Sequence, residues 1–301
     1  VGKYSDVATL HVIESTLKAI SNPTDRQRKA KEMYTGLLER FPTSSLKPYM
    51  LKGLGDAMMT LGELKPVVVP QPFPDSKTKD KTPVSVKPDS LKPLSSAMQC
   101  YEAIIKDFPD SPVAEDAFYS LAESYGSAKQ PDMYYQTLIR YAAQYPRGRY
   151  IAKTKMLMAR YKEEKADYAL ALNNLNEVIA QYFYTPYADS AAQAVGHNYL
   201  LSGQYTQAIK AYLNARAQGS GAMEQMDIIA AQQKIHHPLD YRLAYCYDKS
   251  GNFSKAVEYY AAYLFPDNKG EYALHALTAL AQMYEKKQDF QAALPYYQRI
   301  A

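Results

Sequence analysis

Residues Asp189 to Ala217 read DSAAQAVGHNYLLSGQYTQAIKAYLNARA. The spacing describes a helical hairpin. Val195, Gly196 and Tyr199 share one face of a first helix, Ser202 and Gly203 interrupt it, and Ala208, Tyr212 and Ala215 share one face of a second. Small residues stand where two helices must approach closely, and larger apolar residues fill the space beside them. A hairpin of this size cannot bury its own apolar face, so it requires neighbours of the same kind.

The neighbours can be read outward from Ala208. Equivalent positions are Ala30, Ala97, Tyr134, Ala171, Ala256 and Ala293, and the commonest step between them is 37 residues. Two longer steps mark insertions. Four residues after each anchor come Tyr34, Tyr101, Leu138, Leu175, Tyr212, Tyr260 and Tyr297. Thirteen residues before each come Leu17, Leu54, Leu121, Met158, Val195, Leu243 and Leu280. Agreement at three offsets predicts an all-α chain of about seven hairpins in one array spanning 1–301.

The pattern Leu-Gly/Ala, Tyr, Gly, Tyr/Phe, Ala, Tyr resembles the tetratricopeptide repeat. It stands here as Leu243-Ala244, Tyr247, Gly251, Phe253, Ala256, Tyr260, and again as Leu280-Ala281, Tyr284, Phe290, Ala293, Tyr297. The period of 37 residues exceeds the usual ~34, Tyr134 replaces a small anchor, and Lys162 stands where Tyr is expected. Aromatic-Pro pairs close several repeats: Phe41-Pro42, Phe108-Pro109, Tyr145-Pro146 and Phe265-Pro266. Proline cannot continue a helix and pushes the residue before it out of the α region. The FPxS spelling in Phe41 to Ser44 and Phe108 to Ser111 resembles bacterial envelope repeat proteins of the outer-membrane assembly lipoprotein and Tol-Pal-associated type. The resemblance implies a right-handed α-solenoid acting as a protein-interaction scaffold, periplasmic or outer-membrane-associated, with a cytoplasmic adaptor as the alternative.

Composition narrows the classes. A net charge of +4 over 301 residues makes no case for nucleic acid. There are 29 Tyr and no Trp, and Tyr at recurring positions reads as packing. Cys100 and Cys246 lie on apolar faces far apart in the array, so both are expected to be free buried thiols. No apolar run approaches the ~18 residues of a membrane-spanning helix. The chain starts at Val1 and stops within the pattern at Ile300-Ala301, which reads as a segment of a longer protein.

In chain order, a first helix is expected over 3–21, followed by Asn22-Pro23-Thr24-Asp25 with Thr24 or Asp25 as the next cap. The second hairpin is expected from Pro48, its first helix ending near Leu61-Gly62. The insertion at 65–93 then splits one repeat; it holds seven prolines and six lysines against three aspartates. It reads as a solvated insertion or as a partner-binding arm, with Val68, Pro70, Pro72, Phe73 and Pro74 favouring polyproline II geometry. The repeat is expected to resume at Leu94. A second insertion, 218–237, contains Gly219-Ser220-Gly221 and a weakly helical stretch ending at His236-His237. Adjacent histidines face different sides of a helix, so no metal site is expected.

In the resembled family, first helices line a concave groove. Residues two before and two after each apolar position are then groove-facing: Lys52 and Asp56, Tyr119 and Glu123, Met156 and Arg160, Gln193 and His197, Tyr241 and Tyr245, Thr278 and Gln282. Lys153, Glu163 and Asp248 fall on its margins. This mixed lining suits an extended peptide or partner helix held by several weak contacts. The carboxylate clamp of chaperone-docking members is incomplete, since Asp56, Ser120 and Leu157 stand at three of the positions tested for it. An α/α-toroid hydrolase would need paired carboxylates with aromatic platforms. Glu123, Glu163 and Asp248 only follow the repeat spacing, and no phosphate loop, zinc helix or nucleophile elbow occurs. The expectation is therefore a non-enzymatic scaffold with a protein or peptide partner and no cofactor. Self-association through the terminal repeats is an alternative, because Leu294, Tyr297 and Ile300 would leave an apolar face open.

Overall fold

The computed structural model describes residues 5–62, 91–218, 238–265 and 270–301. The arm residues Val68, Pro70, Pro72, Phe73 and Pro74, the pair His236-His237 and Pro266 lie outside the described residues.

Fourteen helices are found among the described residues. They are α1 (Ser5–Ala19), α2 (Pro23–Arg40), α3 (Lys47–Gly62), α4 (Leu91–Asp107), α5 (Ala114–Ser127), α6 (Pro131–Gln144), α7 (Ile151–Glu164), α8 (Tyr168–Gln181), α9 (Tyr187–Leu201), α10 (Tyr205–Gln218), α11 (Pro238–Lys249), α12 (Phe253–Leu264), α13 (Ala273–Lys286) and α14 (Phe290–Ile300). Odd and even helices pair as seven hairpins. The chain divides into two compact units, 1–154 and 155–301, and the division falls inside α7. Within each unit the packing is sequential: α2 lies on α3, α3 on α4 and α4 on α5, and α9, α10, α11, α12 and α13 follow the same order.

The periodic positions are the core. Ala97, Ala171, Ala208 and Ala256 have no exposed surface, and Leu121, Leu243 and Leu280 likewise have none. Tyr101, Tyr212 and Tyr260 are buried beside them. A Cβ placed on Gly196 would lie 2.5 Å from the Tyr212 ring, and one on Gly55 would lie 2.6 Å from the Tyr101 ring. The glycine is thus what lets each tyrosine lie flat on the partner helix. Burial of a large apolar side chain contributes roughly 1.5–3 kcal/mol, so these rows account for much of the cohesion.

Both kinds of turn are also periodic. Within five hairpins one residue takes a left-handed backbone: Lys129, Ala166, Gly203, Gly251 and Gln288. Each lies five residues before its anchor. At each, the following N–H reaches back five residues, as in Asp167 to the Lys162 carbonyl at 2.8 Å and Gln204 to the Tyr199 carbonyl at 2.8 Å. This satisfies carbonyls that the helix end would leave open. Between hairpins, the aromatic residue carries a pair of turns. Ser111 N–H donates to Phe108 O at 3.0 Å and Ala114 N–H to Ser111 O at 2.9 Å; Tyr145 and Tyr182 head equivalent turns.

Two local boundaries differ from the sequence reading. Asn22, rather than Thr24 or Asp25, caps α2, its Oδ1 accepting from Thr24 N–H at 2.9 Å and Asp25 N–H at 3.3 Å. Pro23 then takes the first helical position, where its missing N–H costs nothing. Helix α4 begins at Leu91 rather than Leu94, and Pro93 lies in its first turn, which proline tolerates for the same reason. The first helix is described as Ser5–Ala19.

Candidate protein-interaction surface

The first helix of each repeat presents two rows beside its core residue, and the rows differ. Of the residues two after the core position, Asp56, Glu123 and Gln282 are exposed, and Arg160, His197 and Tyr245 are half-buried. Of those two before it, Tyr119 is buried at 7% exposed, and Lys52, Met156, Gln193, Tyr241 and Thr278 are half-buried.

In the first unit the charged members are already paired. Lys52 Nζ lies 2.6 Å from Asp56 Oδ1 and 5.5 Å from the Tyr101 ring centre, while the Tyr101 hydroxyl donates to Asp56 at 2.8 Å. Tyr119 stacks on Tyr150 of the next repeat at 4.4 Å, with Lys153 Nζ 4.9 Å above its ring and 4.0 Å from Glu123. The Tyr119 ring is therefore packed between repeats, and the expected open aromatic contact does not form. The reason is a second tyrosine, Tyr150, whose N–H donates to the Tyr141 hydroxyl at 3.1 Å and whose own hydroxyl donates to Asp116 at 2.7 Å.

The second unit repeats this device. Tyr241 stacks on Tyr272 at 4.7 Å, and Tyr272 N–H donates to the Tyr263 hydroxyl at 2.8 Å. Tyr241, Tyr263 and Tyr272 occupy the repeat positions of Tyr119, Tyr141 and Tyr150. Tyr241 is thus also chiefly a packing residue. Tyr245 remains half-exposed, its ring 6.4 Å from Tyr205 and 5.2 Å from Lys249 Nζ. Thr278 turns its hydroxyl back to the Leu274 carbonyl at 2.8 Å, and Gln282 is exposed.

The second unit also holds a polar cluster on α7 and α9. Asn198 Nδ2 donates to Glu163 Oε2 at 2.7 Å, and His197 Nε2 lies 3.8 Å from Glu163 Oε1. Arg160 is directed to Glu164 at 3.3 Å. Burial pushes the Glu163 carboxyl above its usual range; the Asn198 hydrogen bond and the charges of Arg160 and Arg242 pull it back, while Glu164 adds to the rise. Met156 and Gln193 are half-buried on the same two helices. Asp248 is half-exposed on α11.

The sequence puts His197 in the groove and Glu163 on its margin, but its reading singles out neither Asn198 nor Tyr150. The signal for Asn198 is its slot: the equivalent residues are Ala57, Ser124, Tyr161, Cys246 and Met283. On the second-helix side, a cavity of about 340 Å³ opens between α8, α9 and α10, lined in part by Asn176, Ile179, Tyr199 and Lys210. Among the described residues no group of three His, Cys, Asp or Glu side chains is placed to hold a metal, and no helix is long and apolar enough to cross a membrane.

Paired helices in sequential register, with small anchors and aromatic knobs, define a helical repeat fold like that of tetratricopeptide arrays. Residues 239–267 and 276–301 match two models described as tetratricopeptide repeat, so the chain contains tetratricopeptide repeats. The apo form of RapI superposes with a TM-score of 0.60 at 13% identity, over 98% of this chain and 75% of that one. A tetratricopeptide repeat protein from Parabacteroides merdae superposes with a TM-score of 0.53 at 10% identity, over 98% and 92%. These likenesses concern the fold alone. No curated protein matches the chain by sequence.

Proposed function

We propose that the chain is a non-enzymatic scaffold that holds a peptide or partner protein along its first helices. The observation that carries this reading is the row of Arg160, His197, Tyr245 and Gln282, which brings one partly or fully exposed side chain from each successive repeat to the same offset. Such a row offers several weak contacts at regular spacing, which suits an extended or helical partner. The FPxS spelling supports placing the partner in a bacterial envelope assembly, at the periplasmic or outer-membrane side. Cross-linked pull-down from the source cell tests this, using the full chain, a version lacking 65–93, and the triple variant Arg160→Ala, His197→Ala, Tyr245→Ala. Envelope proteins retained by the deletion but lost by the triple variant are the expected result. Loss with the deletion alone moves the contact to the Pro-rich segment, and capture only of cytoplasmic proteins overturns the envelope reading.

A second reading is favoured by α14. Tyr297 is 41% exposed, whereas Tyr101, Tyr212 and Tyr260 at the same repeat position are at most 1% exposed. Phe290 and Leu294 are exposed beside it. Self-association of the chain through this face would bury all three. Sedimentation of the full chain tests this: a dimer abolished by Leu294→Lys supports it, and a monomer at all concentrations excludes it.

A further inference from the structure

One buried repeat slot departs from its equivalents, and it faces a carboxylate of the preceding repeat. The slot of Asn198 holds Ala57, Cys246 and Met283 in other repeats, all buried, and Ser124, whose hydroxyl is satisfied by its own helix at the Ser120 carbonyl. Asn198 is 1% exposed, so here a full amide is placed in a core position. The slot of Glu163 holds Met59, Gly126 and Leu200 in three other repeats, with Asp248 and Glu285 in the last two. Asn198 Nδ2 donates twice, to Glu163 Oε2 at 2.7 Å and to the Ala194 carbonyl at 3.0 Å, which identifies the nitrogen end of the amide. Its buried Oδ1 has no donor among the described residues. A buried acceptor without a partner is unfavourable, and so is a half-buried carboxylate that has no hydrogen bond from a cation. Arg160 is engaged with Glu164, and His197 stands off Glu163 at 3.8 Å, beyond hydrogen-bonding range. The field of Arg242 also reaches Glu163, yet the carboxyl still lies above its usual range. Glu163 keeps 22% of its side chain exposed and His197 14%, so the tip of an incoming side chain can reach the carboxylate from solvent.

We infer that Glu163 and Asn198, bordered by His197, form a receptor for a cationic side chain of a partner, a guanidinium or an ammonium. Such a group carries several N–H donors and one positive charge. It can place its donors on the Glu163 carboxylate, which Asn198 Nδ2 holds from the buried side, and a planar guanidinium suits the two carboxylate oxygens best. The site names the chemistry recognised within the interaction row proposed above, and rests on that reading for the origin of the cation. The cost of placing a polar pair in these slots is then recovered on binding.

The test uses the full chain and no partner. N-acetyl-arginine methylamide, the lysine analogue, and the uncharged citrulline analogue are titrated separately while the Asn198 side-chain amide and the His197 ring are followed by NMR. A saturable shift with one or both cations, at least about tenfold weaker with citrulline and lost in E163Q, is expected, since one lost charged contact of this kind corresponds to a factor of ten or more. The arginine and lysine arms distinguish guanidinium from ammonium. E163M, which installs the residue found at Met59, serves in the same way if E163Q does not fold. No shift with either cation, an equal shift with citrulline, or a shift retained in the Glu163 variants overturns the proposal. A pull-down partner still captured by the triple variant, with cation binding intact, would instead count against the interaction row alone.

Discussion

Ala166 adopts φ 59° at the turn inside its hairpin, where two other repeats place Gly203 and Gly251. A left-handed backbone costs a non-glycine residue roughly 1–2 kcal/mol, and glycine loses roughly 0.5–1 kcal/mol in extra chain entropy. Ala166→Gly is therefore expected to stabilise the chain by about 0.5 kcal/mol, read as a higher urea midpoint at unchanged slope. Gly203→Ala should move the midpoint the other way. Glu163 gives a pH-dependent prediction. Its folded pKa lies above the ordinary 4.5, so its stabilising protonated form is fully present below that value and is lost as pH rises through the folded pKa. Glu163→Gln removes this titration. Its melting temperature should exceed that of the parent at pH 7, and the difference should vanish near pH 4. A parent that melts higher at pH 7 would mean that the carboxylate is already compensated.

At the scale of the element, the hairpin is held by contact of tyrosine with glycine and by tyrosine hydroxyls at helix starts. Gly196→Ala would drive a methyl group into the Tyr212 ring. Overpacking of this kind costs about 1–3 kcal/mol, and thermal melting should show it while helix content by circular dichroism is kept. Tyr263→Phe leaves the buried Tyr272 N–H without its acceptor. A loss of about 1–3 kcal/mol is expected, and unchanged stability would mean that the hydroxyl is not the cap of α13. The existence of α9 and α10 was readable from the spacing of Val195, Ala208 and Tyr212. The Tyr241–Tyr263–Tyr272 group was not, because its members belong to three helices and meet only through packing. The cap at Asn22 was missed for a smaller reason: Pro23 at the first helical position shifts the cap one residue before it.

At the scale of the whole molecule, each unit carries one buried cysteine. Burial pushes the Cys100 thiol up to about 11 and the Cys246 thiol up to about 12. The thiolate is the reactive form, so both should resist alkylation at pH 8 in the native chain. Iodoacetamide labelling along a urea gradient, read by mass spectrometry, should report the opening of each unit through its own cysteine. Rapid labelling of either without urea would contradict the burial. Sequence alone determined the helical class, the hairpin register and the core, because a helix sends every third or fourth residue to one face and a stacked repeat demands the same residue at the same step. Only the tertiary structure decided which surface residues are open. Tyr119 and Glu123 share one helix face, yet Tyr150 of the next repeat covers the first and leaves the second in solvent. Asn198 looks like one more polar residue in the chain, and its buried acceptor beside Glu163 exists only because α7 and α9 bring them together across 35 residues.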